Sequence, residues 1–304
     1  MKTVTFLLCF FSFCYAYPQA DSTMHVADKE IVHKEKLKRS RVKPSSSFKI
    51  DSRITEGSGL IAWNGSLWTH NDSSDSHLYE IDPNNGSVIA TYHIPNVKNI
   101  DWEEISQDEN FIYIGDFGNN SGNSENLKIL RVDKLSILKN EPLVDAIVFN
   151  WPKTITKGKQ EKINLNCEAM VVMSDSIFVF TKEYKKGRRT RVFSIPKLPG
   201  NYVANYKSTL KTKVLVTGAS FQKDTKQLVL CGYNLWLRPF LLVFPNVNET
   251  DFFSGNGKRI KLRKRFRQVE GIATFDGSNY YLINEDFRYL FIHTQQELHT
   301  LKIE

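Results

Sequence analysis

Cysteine is scarce in this sequence: there are four in 304 residues, and two of them, Cys9 and Cys14, fall in the first sixteen. The other pair, Cys167 and Cys231, is too few for a disulfide scaffold. They read as isolated buried thiols, with one bridge as the alternative. Long apolar runs are equally rare. Residues 1–16, "MKTVTFLLCFFSFCYA", hold the one candidate, a lysine followed by a short apolar and aromatic run with small residues near its end. A membrane-spanning helix needs roughly 20 apolar residues, so this stretch reads as an export signal peptide. The protein is therefore expected to be secreted, or to act at a cell surface or in a periplasm. Nothing after it has the length of a span, and no amphipathic helical period is visible. The motifs of nucleophilic and metal chemistry are missing too: no Gly-x-Ser-x-Gly, no Walker loop, no His-Glu-x-x-His and no Cys-x-x-Cys.

What is present is ample material for a packed core, with 41% hydrophobic and 12% aromatic residues. The net charge of +8 is concentrated. Residues 29–43, "KEIVHKEKLKRSRVK", carry seven Lys/Arg against two Glu, and residues 257–267, "GKRIKLRKRFR", carry seven against none. With these segments and Lys2 set aside, worth +5, +7 and +1, the rest stands at −5. That distribution argues against a general nucleic-acid-binding surface. Residues 17–46 lack an apolar period and read as a flexible basic segment suited to an anionic cell surface. The basic run at 257–267 maps to an outermost strand, where such side chains discourage edge pairing.

From residue 47 onward, short runs of Val, Ile, Tyr, Phe and Leu alternate with Asn, Asp, Gly and Ser clusters. Five segments align: "SGLIAWNGSLWTHND" from Ser58, "EEISQDENFIYIGDFG" from Glu103, "EAMVVMSDSIFVFTKE" from Glu168, "GASFQKDTKQLVLCGY" from Gly218 and "EGIATFDGSNYYLINED" from Glu270. Each gives a strand, a polar turn, a second strand and a polar cluster, and two further strand-like runs follow in most. Such units, repeated at roughly 45 to 60 residues, predict an all-β propeller of five four-stranded blades over residues 47–304. Six blades or another all-β fold are the alternatives. On this reading the chain ends inside the fourth strand of the fifth blade.

In a blade the first strand lines the central channel and the second returns beside it. The residue before the first and those after the second therefore emerge at one mouth. This places Glu103, Glu168 and Glu270 in one repeat position and Asp72, Asp116, Glu183 and Glu285 after the second strands, with the register of Glu104 open by one residue. Gathered carboxylates repel unless a cation, backbone amides or bound protons compensate them. Glu103, Glu168 and Glu270 are thus candidate metal ligands, and calcium, which takes six to eight oxygens, is the cofactor such a mouth would accept. The competing reading makes the glutamates acceptors of backbone N–H groups that close the ring.

At "SGLIAWNGSLWTHNDSSDSHLYEID", "DWEEISQDENFIYIGDFGNNSGN", "NCEAMVV", "SIFVFTKE" and "VEGIAT" the chain resembles a family of uncharacterised exported bacterial β-propeller proteins. More distantly it is similar to the propellers of SdiA-regulated proteins and of the esterase-like phytase group, a likeness that implies calcium or phosphoester chemistry. The functional expectation is an exported binding or interaction module with an acidic ligand site at the channel mouth. The alternative is a metal-dependent hydrolase of esters, lactones or phosphoesters.

Overall fold

The computed structural model describes residues 31–303 apart from 35–36, 120–126, 153–164, 185–187, 254, 266 and 290–291. The expected signal peptide lies outside the described residues. Among the described residues no helix is long and apolar enough to cross a membrane.

The repeat resolves into five antiparallel sheets, a five-bladed β-propeller. Their inner strands are Gly57–Trp63, Trp102–Gln107, Cys167–Met173, Leu215–Gln222 and Val269–Thr274. Each packs against the next, and the fifth packs against the first, so the ring is closed. The second strands, Ser66–Asn71, Phe111–Asp116, Ser176–Thr181, Gln227–Tyr233 and Asn279–Asn284, pair antiparallel with them. Both strands of every blade are almost wholly buried, because inner-blade strands are covered on two faces. The apolar clusters lie between neighbouring blades; Phe178, Phe180, Leu228 and Phe244 fill one of them. The single described helix is the five-residue turn Lys134–Leu138, capped by the Asp133 side chain.

The blade edges differ from the sequence expectation. Glu297–Lys302 is the third strand of blade five, not the fourth, and the preceding segment forms a separate hairpin, Phe287–Tyr289 with Ile292–Thr294. The fourth strand is Ser46–Lys49, paired antiparallel with Glu297–Lys302. Chain start and chain end thus share one sheet.

The segment before it is also ordered into strands, where the composition suggested a flexible tail. Val32–Lys34 lies parallel to Asn205–Lys211, the fourth strand of blade three. Lys38–Val42 lies parallel to Lys258–Leu262, the fourth strand of blade four. The basic run at 257–267 is therefore not the outermost strand of its blade. A further strand, Gly200–Val203, covers the edge of blade two in the same parallel sense. Covering unpaired edges in this way removes templates for intermolecular pairing. Cys167 and Cys231 are both free and buried.

Candidate functional site

Four inner strands carry a register irregularity at the same place: the pairing jumps from Trp102 to Glu104, from Cys167 to Ala169, from Val216 to Gly218 and from Val269 to Gly271. Blade one is irregular between Ser58 and Ile61. The bulge residues are thus Glu103, Glu168, Thr217 and Glu270, with Ser58 at the corresponding place. A bulge re-aims one side chain without ending the strand. The repeat frame of blade four accordingly starts at Thr217, one residue before the glycine used to align it.

One step further in, the residues are Gly59, Glu104, Ala169, Gly218 and Gly271. Only one of the five has a long side chain, and Glu104 is fully buried. Its Oε2 accepts the Ala219 amide of blade four at 2.8 Å and its Oε1 accepts its own strand's Ile105 amide at 3.0 Å. Burial pushes the Glu104 carboxyl well above the usual carboxylate range, and the amides of Ala219, Ile105, Met170 and Leu60 work against that rise. A single carboxyl of blade two therefore bonds to blade four and lies near amides of blades one and three. The small neighbours make room for it. A Cβ at Gly59, whose φ is +69°, would meet Glu104 Oε1 at 2.8 Å, and one at Gly271 would meet the Gly59 backbone at 2.6 Å. The ring-closing glutamate is Glu104, in the second position of the pair whose register the sequence left open.

The mouth itself is built from the bulge residues and the residue after each second strand. By register the latter are Asp72, Phe117, Lys182, Tyr233 and Glu285. Three of them are fixed by an equivalent bond: the amides of Asp72, Lys182 and Glu285 donate to the carbonyls of Glu56, Asn166 and Gln268 at 2.9, 2.8 and 3.0 Å. Lys182 is the centre of the arrangement. Its buried Nζ donates to Glu168 Oε2 at 2.5 Å, and Asn166 Nδ2 donates to Glu168 Oε1 at 2.5 Å. The rings of Tyr233 and Tyr184 lie 5.5 and 5.7 Å from the ammonium. Glu270, Glu168 and the two tyrosines hold the Lys182 amine well above its ordinary range, against the effect of burial.

Among the described residues the carboxyls around this cation are in excess. Burial pushes Glu103 and Glu270 well above the usual carboxylate range, and neighbouring carboxylates add to it. Glu285 is pushed up to about 8, chiefly by burial, with Asp72, Glu168 and Glu56 adding to the rise. Asp72 is pushed up to about 7 by burial and by its contact with Glu56. Asp101, between blades one and two, is raised by burial and by Asp116. Two buried oxygens here, Glu270 Oε2 and Asp72 Oδ1, have no hydrogen-bond partner among the described residues.

Glu103, Glu168, Glu270, Asp72 and Glu285 are therefore brought together. Asp116 and Glu183 are drawn elsewhere. Asp116 accepts the Ile100 and Asp101 amides at 3.3 and 3.0 Å and so holds the loop into blade two. Glu183 pairs with Arg191 at 2.5 Å and accepts from Thr181 Oγ1 at 3.0 Å. Each is displaced by one residue from the mouth position, and one residue along an extended chain turns the side chain to the opposite side. His70 is buried against Trp102 and held down to about 4 by desolvation, and Trp102 is too deeply buried to stack a ligand. Lys182, Tyr233 and Asn166 were not picked out from the sequence. Their signal was the alignment frame itself, since Lys182 occupies in blade three the place of Asp72 and Glu285.

Among the described residues no group of three or more His, Cys, Asp or Glu side chains is arranged to hold a metal ion. Of the donor set expected for calcium, Glu168 is paired with the Lys182 ammonium, and Glu103 and Glu270 lie within its electrostatic reach.

No family model matches the chain, and no curated protein matches it. Among solved structures, Myxococcus xanthus glutaminyl cyclase is similar in fold. It has 9% identity and a TM-score of 0.53, and the match covers 88% of this chain and all of that one. A computationally designed protein, Ika4, matches at a TM-score of 0.32 and 9% identity over 71% of this chain and 96% of its own. At such identities the first likeness supports the propeller architecture alone, and no match singles out the SdiA-regulated or phytase-type propellers.

Proposed function

We propose that the protein is a propeller-based binding module whose channel mouth takes a small organic cation, an ammonium or guanidinium compound. The observation that carries this reading is the pair of buried carboxyl oxygens without a hydrogen-bond partner among the described residues, Glu270 Oε2 and Asp72 Oδ1, in a cluster whose described residues hold more carboxyls than cations. A buried acceptor left unmade costs about 1–3 kcal/mol, a penalty that a ligand N–H would remove. Positive charge on that ligand would also relieve the repulsion that keeps protons on Glu285 and Asp72. Tyr184, about half exposed beside Lys182, offers a ring face to the same cation.

A second reading rests on the near-neutral carboxyls. Burial and neighbouring carboxyls push Glu285 up to about 8 and Asp72 up to about 7, a range in which a carboxyl can both give and take a proton, so acid–base chemistry on a bound ester or amide is the catalytic alternative. The hydrolase expectation is carried in this form, with Lys182 as the positive charge of the site.

The test is a thermal melt with ammonium and guanidinium compounds, and separately with calcium, magnesium, manganese and zinc. A compound that binds only the folded state raises the midpoint according to its concentration over Kd. The expected result is a rise with an organic cation that Glu270→Gln removes. No rise with any such compound, or a rise with a divalent metal alone, would overturn the proposal.

A further inference from the structure

The end of the ring opposite the channel mouth also holds a cavity. The inner strands finish there, and the turns that follow them make its rim. A well of about 250 Å³ runs along the axis, with Ile105 and Ala219, whose amides bond Glu104, at its inner end. It widens into a vestibule of about 880 Å³, and the two share Ala62, Gln107, Val172, Phe221 and Phe275 as walls. Trp63, Phe221 and Phe275, from blades one, four and five, give the vestibule an aromatic lining. Phe275 is 43% exposed, a large apolar side chain left open at this end.

Beside the lining lies a buried cation. Lys134, the first residue of the short helix, is 5% exposed. Its main-chain amide donates to the Asn110 carbonyl at 3.0 Å, which ties it to the turn of blade two. Its ammonium donates to Gln107 Oε1 at 2.7 Å and to the Asp108 carbonyl at 2.5 Å, and lies 5.2 Å from the centre of the Trp63 ring. An ammonium has three donors. The third finds no acceptor among the described residues, and no carboxylate among them pairs with the charge. Burial draws the amine down to about 8, with Asp108 and Glu109 working against the fall. Both of these carboxylates are engaged by other lysines. Asp108 pairs with Lys197 at 3.1 Å and accepts from Tyr113 Oη at 2.9 Å, while Glu109, at the exposed rim, pairs with Lys223 at 2.7 Å. Of the remaining charges in the lining, Lys226 and Asp175 are exposed and Glu249 is half-buried. Salt and water screen charges at such a rim, so the buried ammonium sets the preference of the cavity.

A cation held by neutral oxygens next to aromatic walls is matched by a small anion with an apolar body. We infer that this end of the ring is a second ligand site, for an aromatic carboxylate whose acid group takes the remaining Lys134 N–H and whose ring packs against Phe221 and Phe275. A charge-assisted hydrogen bond away from water fixes the acid group. Edge and offset contacts between rings hold the body. Lys134 repels an organic cation at the same place. The Glu104 carboxyl and the amides bonded to it lie between this site and the channel mouth.

The probes are naphthoate, its neutral analogue naphthalenemethanol and its cationic analogue naphthylmethylammonium, each measured by equilibrium dialysis against the full chain at neutral pH. Naphthoate should bind about tenfold more tightly than the alcohol, the contribution of a hydrogen bond to a charged group. Lys134→Met, which keeps an apolar stem of similar length, should abolish that difference and leave the affinity for the alcohol unchanged. A melt of each variant is the folding control. Were Lys134→Met to unfold the protein, Phe275→Ser at its half-open position serves as the second variant. It should weaken acid and alcohol alike and keep the preference for the acid. No binding of naphthoate, equal affinity in wild type and Phe275→Ser, or a preference for the acid that survives Lys134→Met would each overturn the site. Loss of naphthoate binding in Glu270→Gln would place the ligand at the mouth and overturn it as well. In that same variant, tighter binding of the cationic analogue than of naphthoate would overturn the assignment of an anion.

Discussion

The carboxyls of the mouth give the protein an inverted response to pH. A carboxyl whose folded-state pKa is raised keeps a proton that the unfolded chain releases, so rising pH favours unfolding between the two values. Glu285 is the cleanest case, raised from 4.5 to about 8. Between pH 6.5 and 8 its share of the lost stability is on the order of 1–2 kcal/mol, and Asp72, raised to about 7 but only half-buried and so screened by solvent, adds a smaller share. Working against them are His70 and His299, both held near 4, and Lys134, drawn down to about 8 by burial. These three lose protons in the opposite balance and return on the order of 1 kcal/mol over the same window. Glu103 and Glu270 add to the loss. The decisive comparison is therefore a difference. Thermal melts at pH 6.5 and 8 should show the wild-type midpoint falling, and Glu285→Gln should reduce that fall by on the order of 1–2 kcal/mol, or a few °C for a domain of this size. A pH dependence that is the same in both proteins would refute the assignment of the shifted proton to Glu285. A wild-type midpoint that rises with pH would refute the description of the mouth as an excess of buried carboxyls.

Glu104→Gln replaces one acceptor oxygen with an amide that faces a backbone N–H donor, and should cost about 1–3 kcal/mol for the donor left unpaired. A urea midpoint close to the wild type would show that the carboxyl does not hold the blades together. Deleting residues 31–44 should leave the ring closed but uncover the edges of blades three and four, giving a folded protein with a lower melting point and a greater tendency to associate in size-exclusion chromatography. Deleting residues 31–49 also removes the fourth strand of blade five and should abolish a cooperative melt. Equal behaviour of the two deletions would show that Ser46–Lys49 does not close the ring.

The five blades were legible because their inner strands begin with the same short signature and are followed by turns at a regular spacing. Glu103, Glu168 and Glu270 stood in one repeat position and do meet at the mouth. What could not be read was the single-residue detail. The bulge in each inner strand shifts pairing by one residue, so Asp116 and Glu183, taken from the visible acidic clusters, fall beside the mouth while Phe117 and Lys182 occupy it. Lys182 sits in "TKEYKK", a stretch that looks like a solvated loop; its burial depends on Glu168, fourteen residues earlier, and on Glu270 of another blade. The small residues at Gly59, Ala169, Gly218 and Gly271 had a visible pattern, but their meaning needs the carboxyl of Glu104 in the space they leave. The N-terminal strands gave no signal at all. "KRSRV" has no apolar alternation, and what makes it a strand is a neighbour more than two hundred residues away.

That distance also sets an order of events. The Ser45 hydroxyl and the strand it leads into bond to a partner 255 residues later in the chain. At a synthesis rate of roughly 5–20 residues per second, the earlier strand waits on the order of tens of seconds for the later one to leave the ribosome. A strand with an open edge for so long is a hazard for association between nascent chains. This one, "SSFK", carries a single large apolar residue, and four of the eight residues before it, "KRSRVKPS", are basic. The charges that repel one another in the finished sheet would also keep unfinished chains apart.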